Sequence, residues 1–488
     1  MEDIKEIKRT KEANKIIANL ILVLLSLVAF GFGGSSYMNV YLMFGFIFSL
    51  AIFTFSTEKI DKEKTKELLL FSIPLIVFAL FSSLSNFWFS YAGNSLSGDL
   101  ISFFGILSFF LLGYGIYRCR DIKLSWVLYA ILGAIALLVL ISTICSLSRY
   151  GFFYLIKYSG NTYFYDGVYY SIGDEMELIS GFSSVKVTLD YGNVYPFVLC
   201  ASLLGLLFVN PKKQPVLFFV ILGEGAIGLL SFVLLGDFNP LIYLIPVALL
   251  AGLLRFVKLT PLTRKTNTII GWSSLVVFSL LLLVVFVNAI GGNYFANIPL
   301  LNKIFNNSLL LNKINQIINM TAIDYASKSF NLLSFLFGTS SSAVTAWNGA
   351  NNPASLLSIN PAVMEFIALY EGGILSFLGL CVFMLFVIWG LRSLIAQKCQ
   401  VTGEAAIIIL FMFAWVVFVS FNSSVFPFIR EKTTYVSPFR RNGLFYIVIF
   451  FAGCCFKPFW KKDAILAGEH SESATDALKE EKRNEIVL

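Results

Sequence analysis

Segment 336–377 holds the densest group of residues that could do chemistry. A Gly/Ser-rich turn at 336–342 is followed by Asn360-Pro361, a short amphipathic stretch that includes Glu365, and then Glu371-Gly372-Gly373. Because Asn caps helices and Pro fits the first helical turn, we expect a short helix to begin here and to break at the two glycines. Free backbone N–H groups at the start of a helix bind phosphates readily. The pattern predicts an anion-binding helix start in a segment that also carries two carboxylates.

Polar residues within long apolar runs form a second set of candidates: Asp190, Asn193, Glu224, Asp237 and Asn288. Polar groups are costly inside a membrane, so each is a functional candidate by default. Glu224, between two glycines, fits either a proton-coupling carboxylate or a protonated Glu packed against a neighbouring helix. Asp190 fits either a functional group or an ordinary negative charge at a helix start.

Histidine-based and zinc chemistry are excluded by composition. The single His, His470, lies in the polar C-terminal tail, and the seven Cys form no C-x-x-C pair or Cys/His cluster with zinc spacing. The first outer connection, 34–36, reads Gly-Ser-Ser and offers no carboxylate. We therefore predict no metal site and no cofactor.

The elements that position these residues are predicted to be membrane helices. The 488 residues are 57% hydrophobic and only 13% charged, and their mean hydropathy is +0.80. An average soluble protein is about 25% charged, so a soluble enzyme is excluded as the default class. Apolar runs of about 20 residues cross a bilayer as helices. This rule predicts about twelve spans, near 14–34, 36–56, 68–89, 99–117, 124–148, 187–209, 215–235, 239–257, 268–290, 372–391, 405–425 and 442–457.

The basic residues predict the orientation of these spans. Cytoplasmic loops carry the excess of Lys and Arg. With both termini inside, 26 of the 36 basic residues fall on the cytoplasmic side and 10 fall outside. The predicted fold is therefore an all-α polytopic membrane protein with both termini cytoplasmic. Its membrane domain covers 1–457, and residues 458–488 form a polar cytoplasmic tail that we expect to be disordered.

Two long connections, 149–186 and 291–371, lie on the predicted outer face. Long loops in compact architectures are usually functional or disordered. Residues 149–170 are rich in Tyr and Phe, and 299–337 has Leu and Ile at helical spacing, which predicts short interfacial helices. The aromatic residues fit either an interfacial belt or a platform for sugar rings.

In the order of these features the chain resembles the O-antigen ligase and polymerase superfamily. Members of this family are membrane enzymes that transfer or polymerise glycans carried on undecaprenyl pyrophosphate. The stretch from Lys328 to Gly338 stands where the family has an Arg followed by Leu-x-Gly, and Glu371-Gly372-Gly373-Ile374-Leu375 is similar to its E-x-G-I-x motif. The run from Asp190 to Pro196 is similar to the family's Asn-containing helix start. The resemblance covers about 185–457.

The resemblance implies a metal-independent inverting glycosyltransferase. The ligase His is missing, because 358–363 contains none, and this favours the polymerase branch. Inverting transfer needs a base for the acceptor hydroxyl and positive charge for the leaving pyrophosphate. The candidates for the base are Glu371, Glu365 and Asp324. The candidates for binding the pyrophosphate are Lys328, Arg440, Arg441, Arg430, Arg149 and Lys186.

The implied partners are an undecaprenyl-pyrophosphate-linked glycan donor, a glycan acceptor, membrane lipid and polysaccharide-assembly proteins, with no nucleic acid. The implied location is the cytoplasmic membrane, with the active site facing outward. The alternative class is a transporter, such as a flippase of lipid-linked oligosaccharides. A flippase should show two similar halves and charge along a central cavity. This chain places nearly all its ionisable groups in loops, which favours the enzyme.

Overall fold

The structure is a computed structural model of the chain. It describes residues 2–29, 35–55, 62–84, 96–118, 124–150, 163–165, 168–170, 194–235, 241, 243–259, 332–338, 368–369, 371–384, 403–421 and 443–454. Nearly all of these residues are helical. The helices are α1 Glu2–Ala29, α2 Ser35–Phe55, α3 Lys62–Leu84, α4 Leu96–Arg118, α5 Leu124–Tyr150, α6 Val194–Ser202, α7 Pro215–Leu235, α8 Leu244–Leu259, α9 Leu332–Phe337, α10 Glu371–Met384, α11 Gly403–Phe421 and α12 Gly443–Cys454.

The predicted helical class is confirmed for the described part of the chain. Every predicted span except 268–290 overlaps one of the helices above, and 268–290 lies outside the described residues. Among the described residues, two helices are long and apolar enough to cross a membrane, with spans at Leu124–Ile141 in α5 and Pro215–Leu234 in α7. The other helices contain shorter apolar segments, such as Ser72–Ser83 in α3 and Leu100–Ile116 in α4.

Helix α7 is apolar on the face that it exposes, and two of its polar side chains lie on the face that it buries. Val216, Phe219 and Val233 are at least half exposed, whereas Glu224 and Ser231 are buried. A helix on the surface of a water-soluble protein shows the opposite arrangement. Large exposed apolar surfaces mark contacts with protein or membrane. The pattern is typical of a helix whose outer face meets lipid.

Close glycine contacts hold α4 between α2 and α12. A Cβ on Gly453 would lie 2.9 Å from the backbone nitrogen of Tyr114, and one on Gly105 would lie 2.9 Å from the Leu42 side chain. Helices in membranes pack through small residues that let backbones approach closely. All twelve residues of α12 are buried. This helix is therefore an internal element of the bundle.

A second group of helices forms around α6, which is buried along its whole length and packs against α7 and α11. After Ser202 the chain tightens into a 3₁₀ helix, Leu203–Leu207. Within it a Cβ on Gly205 would lie 2.5 Å from the Ile407 side chain of α11. The following turn is tied to α11 by a 2.7 Å hydrogen bond that Gln214 Nε2 donates to Glu404 Oε1.

Helices α5 and α7 run in the same direction and share a buried polar contact. Gly133 lies opposite Glu224, and further along both helices the hydroxyls of Thr143 and Ser231 are 3.1 Å apart. The orientation predicted from the basic residues also has these two spans cross the membrane in the same direction.

We expect the hydroxyl pair to couple α5 and α7 weakly. The variants Thr143→Val, Ser231→Ala and the double variant should give a coupling free energy of about 0.6 kcal/mol, the mean for interhelical hydrogen bonds in membranes. Denaturant unfolding of the three variants in detergent measures it. If the two single effects simply add, the contact contributes nothing to packing.

A short hairpin lies in the first long connection. Strand β1, Tyr163–Tyr165, pairs antiparallel with β2, Val168–Tyr170, in the register Tyr163 with Tyr170 and Phe164 with Tyr169. The intervening Asp166-Gly167 is the sequence typical of a tight hairpin turn. The sequence analysis missed this hairpin, although Asp-Gly between aromatic runs is its signal.

Candidate functional site

Gly338 and the start of α10 lie in direct contact, although 33 residues separate Gly338 from Glu371 in the chain. A Cβ on Gly338 would overlap the carbonyl oxygen of Glu371, and one on Gly373 would lie 2.5 Å from both the Gly338 nitrogen and the Leu336 carbonyl oxygen. Both glycines have positive φ, 82° at Gly338 and 71° at Gly373. Only glycine adopts such values readily. The described ends of this segment, 336–338 and 371–373, therefore form one interlocked turn.

Helix α3 packs against the interlocked turn and against α10. A Cβ on Gly372 would lie 2.9 Å from the Ser82 nitrogen, and one on Gly379 would lie 2.7 Å from the Pro74 carbonyl oxygen. Position 82 therefore lies against 372 and position 74 against 379, so α3 and α10 are antiparallel. The Phe81 and Phe337 rings, with centroids 5.6 Å apart, connect α3 to α9 as well.

The spacing of small residues explains why these helices meet so closely. Gly372, Ser376 and Gly379 recur at intervals of four and three, which places them on one face of α10. Small residues at this spacing let two helix backbones approach. Ser376 Oγ donates to the Phe78 carbonyl oxygen at 3.5 Å across the contact. The small-x-x-x-small pattern is the sequence signal that could have placed this face against another helix.

Glu371 is only 1% exposed and is the first described residue of the segment 371–384, and residues 368–369 before it are helical as well. Burial away from water is costly for a charged group. The carboxyl group thus belongs to a buried residue beside two glycines of positive φ, Gly338 and Gly373.

The structure describes only two of the site residues that were predicted from the sequence. Glu371 lies in the interlocked turn, and Arg149 lies in the last turn of α5, where only its backbone is described. The remaining candidates lie outside the described residues: Glu365, Asp324, Lys328, Arg430, Arg440, Arg441 and Lys186. Their proposed roles in proton transfer and pyrophosphate binding stay predictions.

The structure adds Ser82 to the site, which the sequence analysis did not consider. Ser82 is 4% exposed, and its hydroxyl has no hydrogen-bond partner among the described residues. Buried polar groups are nearly always paired, so such a hydroxyl needs an explanation. Its sequence signal is weak, because Ser82-Ser83 is only a small polar step near the predicted outer end of an apolar run.

Glu224 lies apart from this turn, on the buried face of α7. It is 7% exposed, and its Oε1 lies 3.8 Å from the position that a Cβ on Gly133 of α5 would occupy. Its Oε2 has no hydrogen-bond partner within the described part of the chain. Both interpretations of Glu224 from the sequence agree with this burial.

No family model matches the chain, and no curated protein matches it either. Among the described residues, no three His, Cys, Asp or Glu side chains lie close enough together to hold a metal ion. The candidate site is therefore defined by Glu371, by the glycine turns that fix it and by the adjoining end of α3.

Proposed function

We propose that the protein is a membrane glycosyltransferase that polymerises or transfers undecaprenyl-pyrophosphate-linked oligosaccharide units on the outer face of the cytoplasmic membrane. The observation that carries the proposal is the contact between Gly338 and Glu371-Gly372-Gly373. These residues are the ones in which the sequence resembles the O-antigen ligase and polymerase superfamily. Their convergence supports the proposal because it brings the buried Glu371 together with the glycines of both motifs.

In the proposed step, an oxygen of the acceptor glycan attacks the anomeric carbon of the donor from the side opposite the pyrophosphate. The new glycosidic C–O bond forms as the C–O bond to the pyrophosphate breaks. Glu371 accepts the proton of the acceptor hydroxyl, and undecaprenyl pyrophosphate leaves with the bonding electron pair. General-base catalysis of this kind contributes about 100-fold to 10,000-fold to a rate.

The leaving pyrophosphate requires positive charge in the same reaction. We assign this role to Lys328, Arg430, Arg440 and Arg441, which the predicted orientation places on the outer face together with Glu371. Preorganised cations at a developing negative charge are often the largest single contribution to catalysis. Because a buried site also excludes water, the donor would be protected from hydrolysis before the acceptor binds.

Deletion of the gene in its host tests the proposed function. Surface polysaccharide sized on a gel should show single repeat units without long chains if the protein is a polymerase. Chains of normal length that are no longer attached to their acceptor would indicate a ligase. An unchanged surface glycan would overturn both versions of the proposal.

A transporter of lipid-linked oligosaccharides is the second candidate, and Glu224 is the observation that favours it. A buried carboxylate within a membrane span is a common element of proton-coupled transport. In α7 this group is enclosed by small and apolar residues, and one of its oxygens is unpaired within the described part of the chain. The enzyme proposal gives Glu224 no part in the reaction.

The variant Glu224→Gln separates the two candidates. Gln has nearly the same shape and cannot ionise, so the enzyme proposal expects polymer yield and chain length to stay within about twofold of the wild type. A proton-coupled transporter should instead lose most of its activity. Pulse-labelling of lipid-linked repeat units distinguishes them, because their accumulation on the cytoplasmic side in this variant would identify a transport defect.

A further inference from the structure

The hydroxyl of Ser82 differs from most other buried hydroxyls of the described helices. In a membrane helix, Ser and Thr usually donate to a carbonyl oxygen three or four residues earlier in their own helix. Six described side chains do so, with donor–acceptor distances of 2.5–3.0 Å: Ser26, Ser49, Ser72, Ser108, Thr143 and Ser202. Ser82 and Ser102 are the buried serines whose hydroxyls have no partner among the described residues.

The local contacts explain how Ser82 comes to be unpaired. Its natural acceptor would be the carbonyl oxygen of Phe78, four residues earlier in α3. That oxygen instead receives the hydroxyl of Ser376 from α10, at 3.5 Å. Because Gly372 has no side chain, the Ser82 backbone lies directly against α10, next to Glu371. The residue that carries this unpaired donor therefore lies against Gly372, which follows the proposed base in the chain.

The charge of the neighbouring group indicates which ligand this hydroxyl would bind. The Glu371 carboxylate repels an anion, so the pyrophosphate of the donor is a poor partner for this position. A neutral sugar ring offers hydroxyls that both accept a hydrogen bond from Ser82 and donate one to Glu371. Buried polar groups that are satisfied only when the ligand binds are how proteins select hydroxyl-bearing ligands.

We infer that Ser82 binds a hydroxyl of the acceptor sugar and so positions the acceptor at Glu371. The inference rests on the proposed function and extends it by naming the acceptor side of the site. The structure also predicts a trade-off. In the ligand-free protein the unpaired hydroxyl destabilises the fold, so its removal should stabilise the protein while it weakens acceptor binding.

The test uses the full-length protein reconstituted in lipid vesicles and supplied with lipid-linked oligosaccharides extracted from the deletion host. Initial rates of polymer formation are measured as the concentration of these oligosaccharides is varied. Ser82→Ala should raise KM about fivefold, the loss of one hydrogen bond, and leave kcat within about twofold. Ser82→Thr, which keeps a hydroxyl, should restore KM.

Two control variants separate binding from structure. Ser72→Ala in the same helix removes a hydroxyl that is already bonded to the Leu69 carbonyl oxygen and should leave KM unchanged. Ser102→Ala removes the hydroxyl of the other buried serine that has no hydrogen-bond partner among the described residues. It should raise the midpoint of thermal unfolding, as Ser82→Ala should.

The possible results distinguish the proposed function of the protein from the proposed role of Ser82. If the wild type forms no polymer and the deletion leaves the glycan unchanged, the proposed function fails. If the wild type forms polymer and Ser82→Ala keeps the wild-type KM, the acceptor role of Ser82 fails while the function stands. If Ser82→Ala lowers the midpoint of thermal unfolding, the hydroxyl stabilises the fold and its role is structural.

Discussion

Under the proposed function, polymer formation is expected to fall at least 100-fold when Glu371 is replaced with Gln. Gln keeps the size of the side chain and removes its ability to accept a proton, and general-base catalysis accounts for about 100-fold to 10,000-fold in rate. Glu371 is 1% exposed, so bulk water cannot easily take over as the base. The measurement is the amount of long-chain glycan made by the variant in the deletion host, with lipid-linked repeat units quantified in parallel.

A control for this prediction is Glu404→Gln. Glu404 lies at the start of α11, where Oε1 accepts a hydrogen bond from Gln214, and the amide oxygen of Gln can accept the same bond. We expect this variant to keep normal chain lengths. Wild-type polymer from the Glu371→Gln variant would exclude Glu371 as the base. Glu365 and Asp324 would then be the remaining carboxylates to test.

Much of the helical architecture could be predicted because a long uninterrupted apolar run favours a helix of similar length. The predicted span 215–235 coincides with α7, and 124–148 begins where α5 begins. The predicted and observed ends of a helix differ where the helical backbone continues beyond the apolar run. Helix α3 begins at Lys62, before the predicted span at 68, because charged residues can continue a helix into water.

In the sixth predicted span, the α-helix ends before the apolar run does. The apolar run predicts helix over 187–209, but α6 ends at Ser202 and the chain continues as a 3₁₀ helix to Leu207. The close approach of Gly205 to Ile407 lies in this stretch. Hydropathy is the same for both kinds of helix, so the change depends on packing against α11, which lies about 200 residues later in the chain.

The candidate site could be predicted only in part, for a similar reason. The sequence placed Gly338 and Glu371 in one segment through their motif, and the structure brings them into contact. The sequence could not indicate that α3 lies beside them, because Ser82 and Gly372 are 290 residues apart. No local pattern specifies which helix the small-residue face of α10 meets. The unpaired state of Ser82 follows from this packing and from the competition for the Phe78 carbonyl oxygen.

Replacing Gly338 with Ala is expected to lower both stability and activity. An L-residue at the positive φ of 82° costs about 1–3 kcal/mol, and the added methyl group would overlap the carbonyl oxygen of Glu371. Relief of this overlap must shift the first turn of α10, and a displacement of about 1 Å in a catalytic group can cost about 100-fold in rate. Thermal unfolding in detergent and polymer yield in the deletion host measure the two effects.

The control for this prediction is Gly252→Ala in α8, where a Cβ would meet no atom within 4 Å. Ala is favoured over Gly inside a helix by about 0.5–1 kcal/mol, so this variant should be slightly more stable and fully active. If Gly338→Ala unfolds at a lower temperature but the folded fraction forms polymer at the wild-type rate, the turn serves the fold alone. If the folded fraction is inactive, the position of Glu371 is what the two glycines fix, and the same loss is expected from Gly373→Ala on the other side of the contact.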